Sequence, residues 1–243
     1  MSIYYRTFGD PHNSALLMLH SGGMNGEEWK AQIPELSKDN FLVIPDLPAH
    51  SRSLENSPLS LDLMANKIMD LVNSLELQQF SILGSSLGAA VAMKIALENP
   101  SRIKKAIFYR MSYHLGEAAL KETAKISSAE YWQSYGLEKI MSNWHLAQGD
   151  VNSWKTVIKN VALIIKEHNY CPKDFKNLHF PVLLIAGDKD PIAPLDELLE
   201  IYKFLKNGHL WIIPNADHIT ATNTWRAQSF NKEITRFLNL VSV

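Results

Sequence analysis

Residues 80–98 limit what this chain can fold into more than any other stretch. A short apolar run, Phe80-Ser81-Ile82-Leu83, passes through Gly84-Ser85-Ser86-Leu87-Gly88 into a helical segment that stops before Pro100. A strand that becomes a helix so abruptly needs small residues on both sides of the turn, where chain segments approach closely. The turn strains its central residue and projects it from the carboxyl edge of a sheet, where open α/β sheets place their sites. The glycine spacing selects Ser86 over neighbouring Ser85 as that residue. Its position at a helix start also favours a developing anion.

The same alternation of β-branched apolar runs with helical spacing extends over most of the chain. It is the pattern of βαβ units and a mostly parallel sheet. Strands are expected at residues 3–8, 15–19, 41–44, 80–83, 106–109, 182–186 and 210–213. The run 182–186 is nearly all apolar, as when both sheet faces are covered. Ser60 is an expected N-cap, followed by Leu61, Met64, Ala65, Ile68, Leu71, Val72 and Leu75 at one-face spacing. Further helices are expected at 87–98, at 196–205 with Gly208 closing it, and at 224–238. Residues 112–178 break the rhythm, with no convincing strand and with Tyr131, Trp132, Tyr135, Trp144 and Trp154 in helical segments. An insertion of this length between core strands reads as a helical lid, because long excursions from a compact domain often cover active sites. Most of its aromatics are expected to pack the lid's own small core. The expected organisation is an α/β core, residues 1–111 and 179–243, carrying a lid at 112–178.

With 243 residues, 46% of them hydrophobic, the chain can bury one sizeable core. Its 24 basic and 25 acidic residues give a net charge of -1, with no like-charged run of the kind a nucleic-acid binder shows. No apolar stretch reaches the roughly 18–20 residues that span a bilayer, and the first residues do not form a secretory signal. A cytoplasmic enzyme acting on a small-molecule substrate is the default expectation. The single cysteine, Cys171, allows no internal disulfide and reads as incidental; no Cys/His spacing suggests a metal site. Oligomeric state is not legible.

A serine hydroxyl needs an adjacent base to act as a nucleophile at neutral pH, and histidine suits that task. Among nine histidines, His218 follows the last expected strand and so lies at the same sheet edge as Ser86. His209 precedes that strand, at the opposite edge; His114, His145 and His168 fall in the insertion, where packing or surface roles are expected. The base needs a carboxylate partner, and Gly187-Asp188-Lys189-Asp190-Pro191 follows the apolar strand at 182–186. Both aspartates are within reach. The chain order Ser, Asp, His is that of the nucleophile-elbow hydrolases. Donors for a tetrahedral oxyanion are expected from the backbone N–H of Leu87 and from the loop His20-Ser21-Gly22-Gly23, with Gly22 favoured and Gly23 the alternative. His20 is expected to fix that loop by hydrogen bonding.

On these motifs the chain resembles the α/β-hydrolase superfamily, and within it the small lidded esterases, enol-lactonases and C–C bond hydrolases. The resemblance also rests on Leu16-Leu17-Met18-Leu19-His20-Ser21-Gly22-Gly23, Asp46-Leu47-Pro48-Ala49-His50-Ser51-Arg52-Ser53 and Ala216-Asp217-His218. It implies a doubly wound, mostly parallel sheet with a helical lid, and it favours Asp190 over Asp188 as the acid. Departures stand at Ser21, Ala49, Ser51 and Asp217, where the family pattern usually has glycine.

The expected activity is that of a carboxylesterase-like Ser-His-Asp hydrolase cleaving a small ester, thioester or lactone, without metal or organic cofactor. C–C bond hydrolysis on the same residues is the alternative, and a non-catalytic small-molecule receptor a third. Met111, Tyr131, Trp132 and Trp144 are expected to line an acyl pocket, with Gly23 nearby. Arg110, ending the strand at 106–109, either pairs with a nearby acid, the commoner role, or receives a substrate carboxylate.

Overall fold

The computed structural model describes residues 3–219 and 224–240. Tyr5–Phe8 (β1), Ser14–Leu19 (β2), Asn40–Pro45 (β3), Phe80–Ser85 (β4), Ile103–Tyr109 (β5), Val182–Gly187 (β6) and Gly208–Ile213 (β7) form one seven-stranded sheet. The order is β1-β3-β2-β4-β5-β6-β7, and every pairing is parallel except β1 with β3. The chain therefore reverses its winding between β2 and β4, and a crevice opens there at the carboxyl ends.

The helices are Ile33–Leu36 (α1), Leu61–Ser74 (α2), Leu87–Glu98 (α3), Glu117–Ile126 (α4), Ala129–Ser134 (α5), Glu138–His145 (α6), Ser153–Ile164 (α7), Leu195–Tyr202 (α8) and Ala227–Leu238 (α9). Side chains alternate along each strand, so β2 sends Leu17 and Leu19 to one face and Leu16 and Met18 to the other. The first face packs against α2, α3 and α8; the second packs against Trp29, Leu36 and the α9 residues Phe230, Ile234 and Phe237. Ser60 caps α2, its hydroxyl accepting the Leu63 N–H at 3.0 Å.

Several expected boundaries shift by one to three residues. β1 begins at Tyr5 rather than residue 3, and α8 ends at Tyr202 rather than 205. After Tyr202 the bonds tighten to three-residue turns, Phe204 N–H to Ile201 C=O and Leu205 N–H to Tyr202 C=O, and the helix stops. Gly208 opens β7 instead of closing α8; a Cβ there would stand 2.9 Å from the Leu205 Cβ.

Between β5 and β6 lie α4 to α7, three short 3₁₀ turns and one isolated bridge, His114 with Asn169. Trp154, Met141 and Ile158 form a separate small cluster there, with Trp132 and Trp144 packed against it. Further along, Ile164, Phe175 and Leu178 return to the main core. Among the described residues no helix is long and apolar enough to cross a membrane.

Candidate active site

Ser86 sits between β4 and α3 with φ 52° and ψ −117°, a backbone conformation that a serine adopts only under constraint. The constraint comes from its flanks. A Cβ on Gly88 would lie 2.3 Å from the Leu19 carbonyl oxygen, and one on Gly84 would lie 2.3 Å from that of Gly88. Strand and helix are thus pressed together, and the Ser86 N–H is tied to the Tyr109 carbonyl at 2.9 Å.

The Ser86 hydroxyl stands 2.8 Å from His218 Nε2. On the other side of the ring, Nδ1 meets Asp190 Oδ2 at 2.9 Å and Oδ1 at 3.0 Å. A carboxylate against Nδ1 places the imidazole proton there and leaves the Nε2 lone pair for the serine O–H. Asp190 Oδ1 also accepts the N–H groups of Ile192 at 2.9 Å and Ala193 at 3.0 Å. Burial raises the Asp190 pKa, but His218 and these two N–H groups outweigh it, so the carboxyl stays below its usual range. Asp188 points elsewhere: its Oδ1 accepts the Ala216 N–H at 3.2 Å and closes the turn.

Gly22 and Leu87 line a narrow compartment of about 50 Å³ together with Ser86 and His218. Gly23, the alternative donor, is committed elsewhere: its N–H goes to His50 Nε2 at 3.1 Å, its carbonyl receives His145 Nε2–H at 2.9 Å, and its φ is +76°. It lines neither compartment beside Ser86, because both its backbone groups face the histidines.

The loop carrying Gly22 is braced by buried polar groups. His20 donates from Nδ1 to the Ser21 carbonyl and accepts the Leu47 N–H at Nε2, both at 2.8 Å. His20, His50 and His145 stack edge to face, with centroids 5.2 and 5.9 Å apart. Burial lowers the pKa of all three, so they act as neutral donor–acceptor pairs. Ala49 and Ser51, at the family's glycine positions, adopt φ of 59° and 47°, so the turn keeps a glycine-like path.

Arg110 is a buried structural partner. Its Nη2 meets Glu28 Oε1 at 2.8 Å, with both side chains 7% exposed. Nη1 donates to the His218 carbonyl at 2.6 Å, Nε to Ser85 Oγ at 3.2 Å, and Nη2 also to Ser21 Oγ and Ser85 Oγ. Glu28 in turn accepts the Ser21 N–H at 2.6 Å and its hydroxyl at 2.9 Å. The serine at the family's glycine position is therefore part of this network. Arg110 borders the larger of the two compartments beside Ser86, and each of its three nitrogens has a partner within the protein.

That cavity has a volume of about 380 Å³. Tyr131, Trp132 and Trp144 line it, along with Met24, Ile126 and Tyr135. Met111 does not: it is buried in the core cluster with Leu87 and Phe108, where apolar contact holds it. Leu137, Ile140 and Met141 line the cavity too. With Trp144 they recur at three- and four-residue spacing, a stripe visible in the sequence that gives one face of α6. Glu28 carries no comparable local signal. A second cavity of about 550 Å³, between residues 55–59 and α7, does not reach Ser86.

A description of the α/β hydrolase fold matches residues 14–135, just over half of the chain. The 3-oxoadipate enol-lactonase 2 of Acinetobacter baylyi is 24% identical over 96% of this chain and 92% of its own. The pimeloyl-[acyl-carrier protein] methyl ester esterase of Cronobacter sakazakii is 40% identical over 42% of this chain and 37% of its own. In structure, an α/β hydrolase from a Medee basin deep-sea metagenome superposes with a TM-score of 0.82 at 20% identity, covering 99% of this chain and 95% of that one. By sequence match and by fold, this chain belongs to the α/β hydrolase family.

Proposed function

We propose that this protein is a serine hydrolase that cleaves a small carboxylic ester, thioester or lactone through an acyl-enzyme on Ser86. The observation that carries the proposal is the hydrogen-bonded line from Ser86 Oγ through His218 to Asp190, 2.8 Å and then 2.9 Å. A line of this kind makes a serine nucleophilic without a full charge on its oxygen. The lactonase and methyl ester esterase relatives, both named for ester chemistry, support it.

In this mechanism Ser86 Oγ attacks the carbonyl carbon while His218 Nε2 takes its proton. Asp190 remains ionised and stabilises the imidazolium. The N–H groups of Gly22 and Leu87 receive the oxyanion, a contribution worth about 10²-fold or more per donor. His218 then protonates the leaving oxygen or sulfur, and water, deprotonated by the same ring, releases the acid. Residues 112–178 act as a lid, whose aromatics bind the apolar part of the substrate and exclude water from the oxyanion.

Two measurements test the proposal together. An activated short-chain ester should give a burst of alcohol, and an active-site serine probe should label Ser86, located by peptide mapping. Ser86→Ala should lose at least about 10³-fold in kcat. Unchanged turnover in that variant would overturn the assignment, and so would tight saturable ligand binding with no turnover by the unaltered protein.

A further inference from the structure

We infer that the site selects uncharged substrates and discriminates against those carrying a carboxylate in the cavity of about 380 Å³ beside Ser86, and that Glu28 sets this preference. The inference rests on the serine-hydrolase reading of Ser86 and names its substrate class. Among the described residues, the charged groups lining the cavity are Glu27, Glu28 and Arg110. Arg110 is the one cation among them, and Glu28 already neutralises it at 2.8 Å. Its Nη1 also donates to the His218 carbonyl, its Nε to Ser85 Oγ, and its Nη2 to the Ser21 and Ser85 hydroxyls. Glu27 adds a second negative charge, itself bridged to Arg6 at 2.6 Å.

A carboxylate entering this space would exchange its hydration for aromatic and aliphatic walls, with no unpaired cation to receive it. Burying an ion without a partner is costly, and each carboxylate on the wall is already matched by its own arginine, so the wall holds no net positive charge to offset that cost. A neutral acyl chain has no such cost and gains from contact with Tyr131, Trp132 and Trp144. The enol-lactonase relative is named for a dicarboxylate, 3-oxoadipate. The paired state of Arg110 separates this chain from a substrate of that kind. Glu28 is thus a specificity-determining residue: by occupying the guanidinium it keeps the cavity closed to anions, while it holds Ser21 and the Gly22 loop in place.

The test compares two substrates of equal chain length, 4-nitrophenyl hexanoate and the mono-4-nitrophenyl ester of adipic acid. The unaltered protein should favour the hexanoate by about 100-fold in kcat/KM, mostly through KM. Glu28→Gln, which leaves the Arg110 charge uncompensated, should narrow that ratio by at least about tenfold through a lower KM for the adipate. Ile140→Lys places a new cation on the half-exposed rim without touching the Arg110 network, and it should narrow the ratio in the same direction if Glu28→Gln does not fold. Binding gives an arm that needs no turnover. Hexanamide should quench the tryptophan fluorescence of Ser86→Ala protein at concentrations at least tenfold below adipic acid monoamide. Equal use of the two esters, or equal binding of the two amides, would overturn the inference. Selective binding of hexanamide with neither ester hydrolysed would support it while overturning the serine-hydrolase reading.

Discussion

Ser86 owes its strained geometry to two neighbours that have no side chain. Its left-handed backbone costs on the order of 1–3 kcal/mol, which close packing around the turn offsets. Gly88 is where that packing is tightest, since a methyl group would lie 2.3 Å from one backbone oxygen, Leu19, and 2.5 Å from another, His20. Neither oxygen is the end of a flexible chain, so strand and helix would have to separate. Gly88→Ala should therefore lose at least about 3 kcal/mol in urea unfolding, and its hydrolytic activity with it. An unchanged midpoint would show that the elbow tolerates a Cβ. Asp190→Asn tests a charge at the same scale. An amide oxygen can still accept the Ile192 and Ala193 N–H groups, so the fold should persist by circular dichroism. What the variant loses is the ion that stabilises protonated His218, and kcat should fall by about 10⁴-fold with KM little changed. A drop below tenfold would make Asp190 structural only. Ser86, Asp190 and His218 were legible because each follows a recognisable apolar strand at the same sheet edge. The Arg110–Glu28 pair was not, because its members lie 82 residues apart and no local pattern marks either as the other's partner.

At the scale of elements, α6 joins the insertion to the loop beside Ser86. One face supplies Ile140, Met141 and Trp144 to the cavity, and its last residue, His145, reaches back into the core. His145 accepts the Ser51 N–H at 3.0 Å and donates to the Gly23 carbonyl at 2.9 Å, so one ring ties α6 to two separate turns. His145→Phe keeps the aromatic volume but strands both backbone groups. It should cost about 2–3 kcal/mol, and hydrogen exchange should speed up at residues 22–24 and 50–52 first. Exchange confined to the rest of α6 would mean that the helix does not hold those turns. The strands were readable as elements because short apolar runs bounded by turn residues have few other uses. Their ends were less so: β4 runs on to Ser85 because the sheet pairs Ser85 with Tyr109, which the apolar run does not reveal. His145 read as a packing or surface residue for the same reason, since its partners lie 94 and 122 residues away.

For the molecule as a whole, the buried histidines set how stability responds to acid. His20, His50, His145 and His168 are all held below their ordinary value of 6.5, chiefly by burial, and His168 falls to about 4. His168 also donates from Nε2 to the Ser112 carbonyl, which ties the end of the insertion to its start. In the unfolded chain each ring takes a proton near pH 6.5, whereas in the folded chain each resists until the pH is lower. Below pH 6.5 the unfolded state therefore binds more protons than the folded one, and acid favours unfolding. The stabilising contribution is complete above 6.5 and is lost as the pH falls toward the folded values, which for His168 means a window from 6.5 to about 4. Two carboxylates act in the same direction at lower pH. Burial opposes the ionisation of Asp46 and Asp190, but Arg52 and His218 respectively outweigh it, so both sit below their usual 3.8 and lose their contribution only under more acidic conditions. Urea midpoints should accordingly be level above pH 7, decline from pH 6.5 to 4 and fall more steeply below. His168→Gln keeps a side-chain amide that can donate to the Ser112 carbonyl and removes one titrating ring. It should flatten the decline between pH 6.5 and 4 while lowering the plateau by about 1–2 kcal/mol. If the slope of the unaltered protein is already flat across that window, the rings are reached by protons without unfolding, and burial does not govern their titration.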